Sequence, residues 1–180
     1  MTTVKPAPPR LPLIETPEAP LAREQFEKLA AGRGILNLHR MMAYAPALMK
    51  ASGDMAMAFR NDAILGRALA EIVVLRTAQV AHCDYEWERH VPLARAAGVS
   101  ERQIAEVGRW KQSAAFNPKE KAVLQYAEAL ADGAPIDDQI FAELQRHLPP
   151  REIVAVTLLV GFYVSTAIFI NALAVPDDNS

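Results

Sequence analysis

Residues Ile153 to Val175 run 23 positions without a charged side chain. Such a run is long enough to cross a bilayer as a helix, or to form the buried helix of a soluble core. Thr157, Tyr163, Ser165, Thr166 and Asn171 spread polar groups along it, no Lys/Arg cluster flanks it, and no second stretch matches it. These features favour a helix buried in the core or in a subunit interface, with no membrane as partner. The rest of the chain must then supply a core to receive it. At 180 residues, 51% hydrophobic and 22% charged, it has the size and composition of one domain able to bury most of its apolar surface.

That core is expected to be all-α. Six of the 13 prolines fall in residues 1–20, where missing amide donors and fixed backbone angles give an extended arm. From residue 21 to 180 the sequence reads as a single all-α domain: Ala/Leu/Glu/Arg-rich stretches with few glycines, and no strict alternation bounded by hairpin turns. The expected helices are 21–31, 34–50, 52–59, 62–81, 83–97, 101–112, 118–132, 137–146 and 150–174. Gly98 is placed to end one helix, Ser100 with Gln103 to open the next as a capping box, and Asn117-Pro118 to start another. An offset of 81 lays Glu71-Ile-Val-Val-Leu over Glu152-Ile-Val-Ala-Val and His90 over Asn171, a weak internal two-fold repeat that predicts two related helical hairpins.

Nineteen Lys+Arg against 21 Asp+Glu give a net charge of -2 with no basic run, which argues against a nucleic-acid partner and for a small-molecule substrate or protein chains. The sole cysteine, Cys83, has no intramolecular disulfide partner, and MTTVKPAPPR lacks the apolar segment of a secretory signal. The cytoplasm is the expected compartment.

Reactive side chains concentrate in Ala81-His82-Cys83-Asp84-Tyr85-Glu86-Trp87-Glu88-Arg89-His90. On a helix starting near Cys83, the positions of Cys83, Glu86, Trp87 and His90 share a face. Cys83 and His90 are two turns, ~10 Å, apart, and Glu86 sits between them, placed to orient the imidazole and pass a proton onward. A helix N-terminus also favours the thiolate of Cys83. If the chain turns back at Ala81-His82, Glu71 meets His90 across two antiparallel helices; the competing partners of Glu71 are Arg67 and Arg76. No metal is expected, because the spacing of His82, Cys83, Glu86 and His90 fits no standard zinc pattern. Trp110, Phe116 and Met41 are candidates for closing a pocket.

The block Glu71-Ile-Val-Val-Leu-Arg-Thr-Ala followed by Cys83-Asp-Tyr-Glu-Trp-Glu-Arg-His90-Val-Pro-Leu-Ala-Arg-Ala-Ala-Gly98-Val-Ser resembles the carboxymuconolactone decarboxylase family, also called alkylhydroperoxidase D-like. The likeness is close over 62–107. It continues more weakly through Asn117-Pro-Lys-Glu-Lys-Ala-Val-Leu and Leu159-Val-Gly-Phe-Tyr to Asn171-Ala-Leu, covering roughly 35–175.

The resemblance implies the alkylhydroperoxidase D-like helical fold, enzymes that need no cofactor, and assembly into trimers, hexamers or dimers. In the family's peroxidase branch a glutamate, a C-x-x-C pair and a histidine form a proton relay, and the corresponding positions are Glu71, Cys83, Glu86 and His90. Glu86 stands where the second cysteine would be, so a disulfide cycle cannot close within the chain. A single-cysteine cycle would pass through a sulfenic acid resolved by an external thiol. In the decarboxylase branch the chemistry is acid–base work on a lactone carboxylic acid.

The leading expectation is acid–base catalysis of a decarboxylation, isomerisation or lyase-type reaction on a small organic acid or lactone. Glu71, Cys83, Glu86 and His90 form its catalytic group, with Tyr85, His82 and Trp87 contacting substrate. The alternatives are Cys83-dependent hydroperoxide reduction and a non-catalytic, ligand-binding oligomer. A homo-oligomer, trimer or hexamer, is expected in each case.

Overall fold

The computed structural model describes residues 8–62 and 64–178. Among the described residues every regular element is helical: α1 (Pro20–Ala30), α2 (Asn37–Met42), α3 (Pro46–Asp62), α4 (Arg67–Val80), α5 (Asp84–Ala96), α6 (Glu101–Glu106) with a 3-10 turn (Val107–Arg109) behind it, α7 (Pro118–Ala131), α8 (Asp138–His147) and α9 (Pro150–Leu173). The chain divides into two compact units. One is Asp62–Phe169, and the other is formed by the flanking chain up to Asn61 and from Ile170 onward.

The terminal unit is built on a small apolar cluster of Ala22, Phe26, Ala43 and Met49, with Ile14, Ala19, Leu29, Ile35 and Met42 packed against it. From residue 8 to 19 its proline-rich segment carries no regular element, and it is fastened by polar contacts. The Arg10 amide donates to the Leu173 carbonyl at 3.0 Å, Tyr44 Oη donates to the Pro12 carbonyl at 2.9 Å, and Arg40 pairs with Glu15 at 2.9 Å. Residues 1–7, the first part of the expected arm, lie outside the described residues. Met41 is buried within this unit.

Here the expected helix boundaries fail in an instructive way. The sequence reading runs one helix over 34–50 and a second over 52–59; the chain instead breaks at Ala43-Tyr44-Ala45 and continues unbroken from Pro46 to Asp62. Pro46 has no amide to give to a preceding turn, so it opens a helix more readily than it sits inside one. Gly53 is tolerated in the interior, where it costs only about 1 kcal/mol relative to alanine.

The central unit packs α4 against α5 and α7, with Ile72, Leu75, Ala94, Val99, Ile104, Val107, Trp110, Phe116 and Leu124 forming its apolar cluster. Leu75 and Leu124 are completely buried, and truncating either to alanine should cost about 2–5 kcal/mol. Trp110 and Phe116 are therefore core residues, and Trp110 Nε1 donates to Glu128 Oε2 at 2.7 Å. The same carboxylate pairs with Arg76 at 2.7 Å and Lys111 at 3.0 Å, so Arg76 is held away from Glu71.

Punctuation in this unit follows the sequence closely. Gly98 ends α5 with φ 90°, a left-handed conformation that glycine adopts without a Cβ clash. Ser100 and Gln103 cap α6 reciprocally, as do Asn117 and Glu120 at α7. The helix expected from residue 62 begins only at Arg67, because Gly66 stands at its N-cap with φ 72°. The helix expected over 101–112 ends at Glu106 and tightens into the 3-10 turn.

α9 carries the uncharged run. Ile153, Val156, Leu159, Val160 and Ala167 are buried, and its two threonines bond back into the helix: Thr157 Oγ1 donates to the Ile153 carbonyl at 2.7 Å and lies 2.8 Å from Tyr126 Oη, and Thr166 Oγ1 donates to the Phe162 carbonyl at 2.9 Å. The internal repeat is not carried by the fold. An offset of 81 from the turn at Ala81-His82 would place a second turn near Phe162-Tyr163, and α9 runs straight through that point.

Candidate functional site

The site is made by the α4–α5 hairpin. α4 ends at Val80, and His82 turns the chain with φ 50°, a left-handed conformation in which histidine is among the more tolerated non-glycine residues. The Cys83 amide then closes back on the Ala78 carbonyl at 2.9 Å. Cys83 becomes the N-cap of α5, and the two helices run back along one another.

This geometry brings Glu71 to His90. Glu71 Oε2 lies 2.7 Å from His90 Nδ1, its Oε1 accepts from Arg67 Nη2 at 2.9 Å, and His90 Nε2 lies 3.3 Å from Glu86 Oε2. Both expected partners of Glu71 that lie within reach, His90 and Arg67, are thus engaged at once, on different carboxylate oxygens. Glu71, Glu86 and His90 are 4–5% exposed. Tyr163 of α9 sets its ring at 89° to the imidazole with centroids 4.9 Å apart.

Burial is the largest single influence on His90 and pulls its pKa down, but the hydrogen bonds and charges of Glu71 and Glu86 together outweigh it and hold the imidazole above its ordinary 6.5. A protonated imidazole gives alternating charge through Arg67, Glu71, His90 and Glu86, the arrangement in which buried ions compensate one another. A proton on His90 can pass to either neighbouring carboxylate, and Glu86 is the one that lies toward Cys83.

Cys83 is buried, and burial pushes its thiol up to about 11 from an ordinary 9.0; the backbone amides of Glu86 and Tyr85 act in the opposite direction, while the Glu86 and Asp84 charges reinforce the rise. The helix N-terminus expected to favour the thiolate is present, and desolvation overrides it.

The residues expected to contact substrate are dispersed. Tyr85 is buried on α5, and His82 is exposed on the turn. Trp87 packs against the apolar cluster of the central unit, so the shared face of Cys83, Glu86, Trp87 and His90 narrows to three residues. The hundred-degree step between Glu86 and Trp87 accounts for this: with the polar groups on one side, the indole is left facing the core. Tyr163, absent from the expected site, lies within it. Its traces in the sequence are its place among the scattered polar groups of the uncharged run and at the end of the Leu159-Val-Gly-Phe-Tyr stretch of the family resemblance. Among the described residues no group of three or more His, Cys, Asp or Glu side chains is arranged to hold a metal ion.

Residues 46–129 match the carboxymuconolactone decarboxylase family. YnjA, an uncharacterized protein of Escherichia coli (strain K12), is 26% identical over 170 residues, which cover 93% of this chain and 90% of its own. A protein of unknown function from Agrobacterium tumefaciens, named for antioxidant defence and AhpD, has a similar structure with a TM-score of 0.70 and 23% identity, over 76% of this chain and 94% of its own. The debrominase Bmp8 gives a TM-score of 0.77 at 18% identity, over 92% of this chain and 90% of its own. It has also been solved as a cysteine-to-alanine variant in complex with 2,3,4-tribromopyrrole. The family match spans the α4–α5 hairpin and the helical fold is that of the AhpD-like structures, so this chain is similar to the carboxymuconolactone decarboxylase family over the part that holds the site.

Proposed function

We propose that this protein is a cytoplasmic enzyme that moves protons on a small organic acid or lactone, in a decarboxylation, isomerisation or lyase-type reaction, without a cofactor. The observation that carries this reading is the buried imidazole of His90 held between two carboxylates, 2.7 Å from Glu71 and 3.3 Å from Glu86. Glu71 orients the ring and supports its charge. Glu86 exchanges the proton with substrate, and Cys83 and Tyr85 line the approach. In a decarboxylation, the electron pair released with carbon dioxide is held as an enolate, the relay delivers a proton to carbon, and water restores the relay. Side chains suffice for each of these transfers.

The test is proton NMR in deuterium oxide on a panel of lactone carboxylic acids, following deuterium incorporation and product. His90→Gln should lower turnover ~10²–10⁴-fold, the usual loss for a missing acid or base, while Cys83→Ser keeps most of it. Full activity in His90→Gln would overturn the reading.

A second reading, hydroperoxide reduction at Cys83, draws support from the place of the sulfur at the start of α5, against the Glu86 and Tyr85 amides, and from the fold shared with a debrominase studied through a cysteine variant. In this cycle the thiol gives its proton to the Glu86–His90 relay and its sulfur takes the distal peroxide oxygen, releasing an alcohol. An external thiol then displaces water from the sulfenic acid, and a second reduces the mixed disulfide. Peroxide consumption that depends on added dithiol and vanishes in Cys83→Ser would select this reading over the first.

A further inference from the structure

The torsion that turns an imidazole about its Cβ–Cγ bond is soft, with broad wells rather than sharp staggered ones. A single hydrogen bond at Nδ1 therefore leaves the ring free to rock, and rocking acts first on the longer contact, the 3.3 Å approach of Nε2 to Glu86. Something must fix the plane if both carboxylates are to stay engaged. The group in place to do so is on α9, remote in sequence from the hairpin: the Tyr163 ring lies 4.9 Å from the imidazole at 89°. Tyr163 is itself braced, with the Phe162 ring 5.3 Å away at 88°.

We infer that Tyr163 is a positioning residue for His90, its perpendicular ring holding the imidazole plane so that Nδ1 stays on Glu71 and Nε2 on Glu86. The charged and titratable groups facing His90 are Glu71 of α4, with Arg67 behind it, Glu86 of α5, and the Tyr163 phenol of α9. The thiol of Cys83 lies beyond Glu86. Because both carboxylates raise the affinity of His90 for its proton, loosening the ring weakens one contact and lowers that affinity. The aromatic ring does this work, so phenylalanine serves in place of tyrosine. Only the kinetic part of the test rests on the proton-transfer reading above; the titration stands without it.

The experiment is an NMR titration of His90 in the parent, Tyr163→Phe and Tyr163→Leu proteins. Tyr163→Leu should lower the His90 pKa by about half a unit or more, the size of change expected when a contact to a charged partner is weakened. Tyr163→Phe should match the parent. A folded Tyr163→Leu protein that titrates like the parent would overturn the proposal, as would Tyr163→Phe shifting as far as Tyr163→Leu. If the leucine variant does not fold, Tyr163→Met, whose flexible side chain fills an irregular gap without a flat ring, carries the same expectation. Once a substrate is in hand, the pH–rate profile should move with the titration. A titration that shifts as expected in a protein without acid–base activity would sink the functional reading and leave the positioning role standing.

Discussion

Glu71 Oε2 sits 2.7 Å from His90 Nδ1, joining residues 19 apart in the chain through a buried hydrogen bond between consecutive helices. The carboxylate favours the protonated ring, so Glu71→Gln should lower the His90 pKa, read directly from the imidazole resonances. An unchanged titration would mean that the contact carries no electrostatic coupling.

The same pair sets a pH dependence of stability. His90 titrates near 6.5 when unfolded and higher when folded. The clamp therefore contributes in full below about 6.5 and is lost as pH rises through the folded value. Urea midpoints measured from slightly acidic to alkaline pH should fall across that window. The fall should be smaller in Glu71→Gln, and comparing the two separates His90 from His147, which pairs with Glu143 on α8.

Cys83 should react slowly. A thiol pushed up to about 11 rather than the ordinary 9.0 holds roughly a hundredfold less thiolate at pH 7, since each pKa unit is a factor of ten. Iodoacetamide labelling of the native protein should be slow at neutral pH and rise steeply only in alkali. Rapid labelling below pH 7 would contradict the buried, neutral thiol.

α9 leaves an uncharged stripe uncovered. Val154, Leu158 and Ile168 are 58%, 50% and 62% exposed, and Gly161 and Ser165 fall between them on the same face. The 4-3-4-3 spacing is that of a helix seam. Self-association through this face, as a trimer or hexamer, is the expected outcome in sedimentation, with Leu158→Glu shifting the protein toward monomer. A parent protein that stays monomeric at micromolar concentration would rule this out.

What the sequence made legible was chemistry that acts within a few residues. Gly98, the Ser100–Gln103 box and the Asn117–Glu120 cap each declare themselves locally, and Glu71 with His90 needed only one turn to be placed correctly. Pro46 is the equivalent local signal in the terminal unit, where it opens α3. The positions that misled depend on surroundings. Cys83 shows its helix N-terminus in the sequence but not the burial that governs its thiol. Trp87 has the spacing of a site residue and the environment of a core one. Tyr163 reaches His90 only through the packing of α9, and no spacing within α9 records that.

The hairpin that holds Glu71, Cys83, Glu86 and His90 closes a short loop, and short loops lose little entropy on closure. Its contacts can form while α9 is still absent from the growing chain, so the polar cluster is assembled early and Tyr163 arrives late. Folding should then be slowed most by substitutions at the α4–α5 interface, such as Leu75→Ala. Substitutions along α9, such as Val160→Ala, should act mainly by speeding unfolding, a division that stopped-flow rates for the two variants would reveal. A ribosome releasing this chain thus delivers the reactive groups first and the ring that steadies them last.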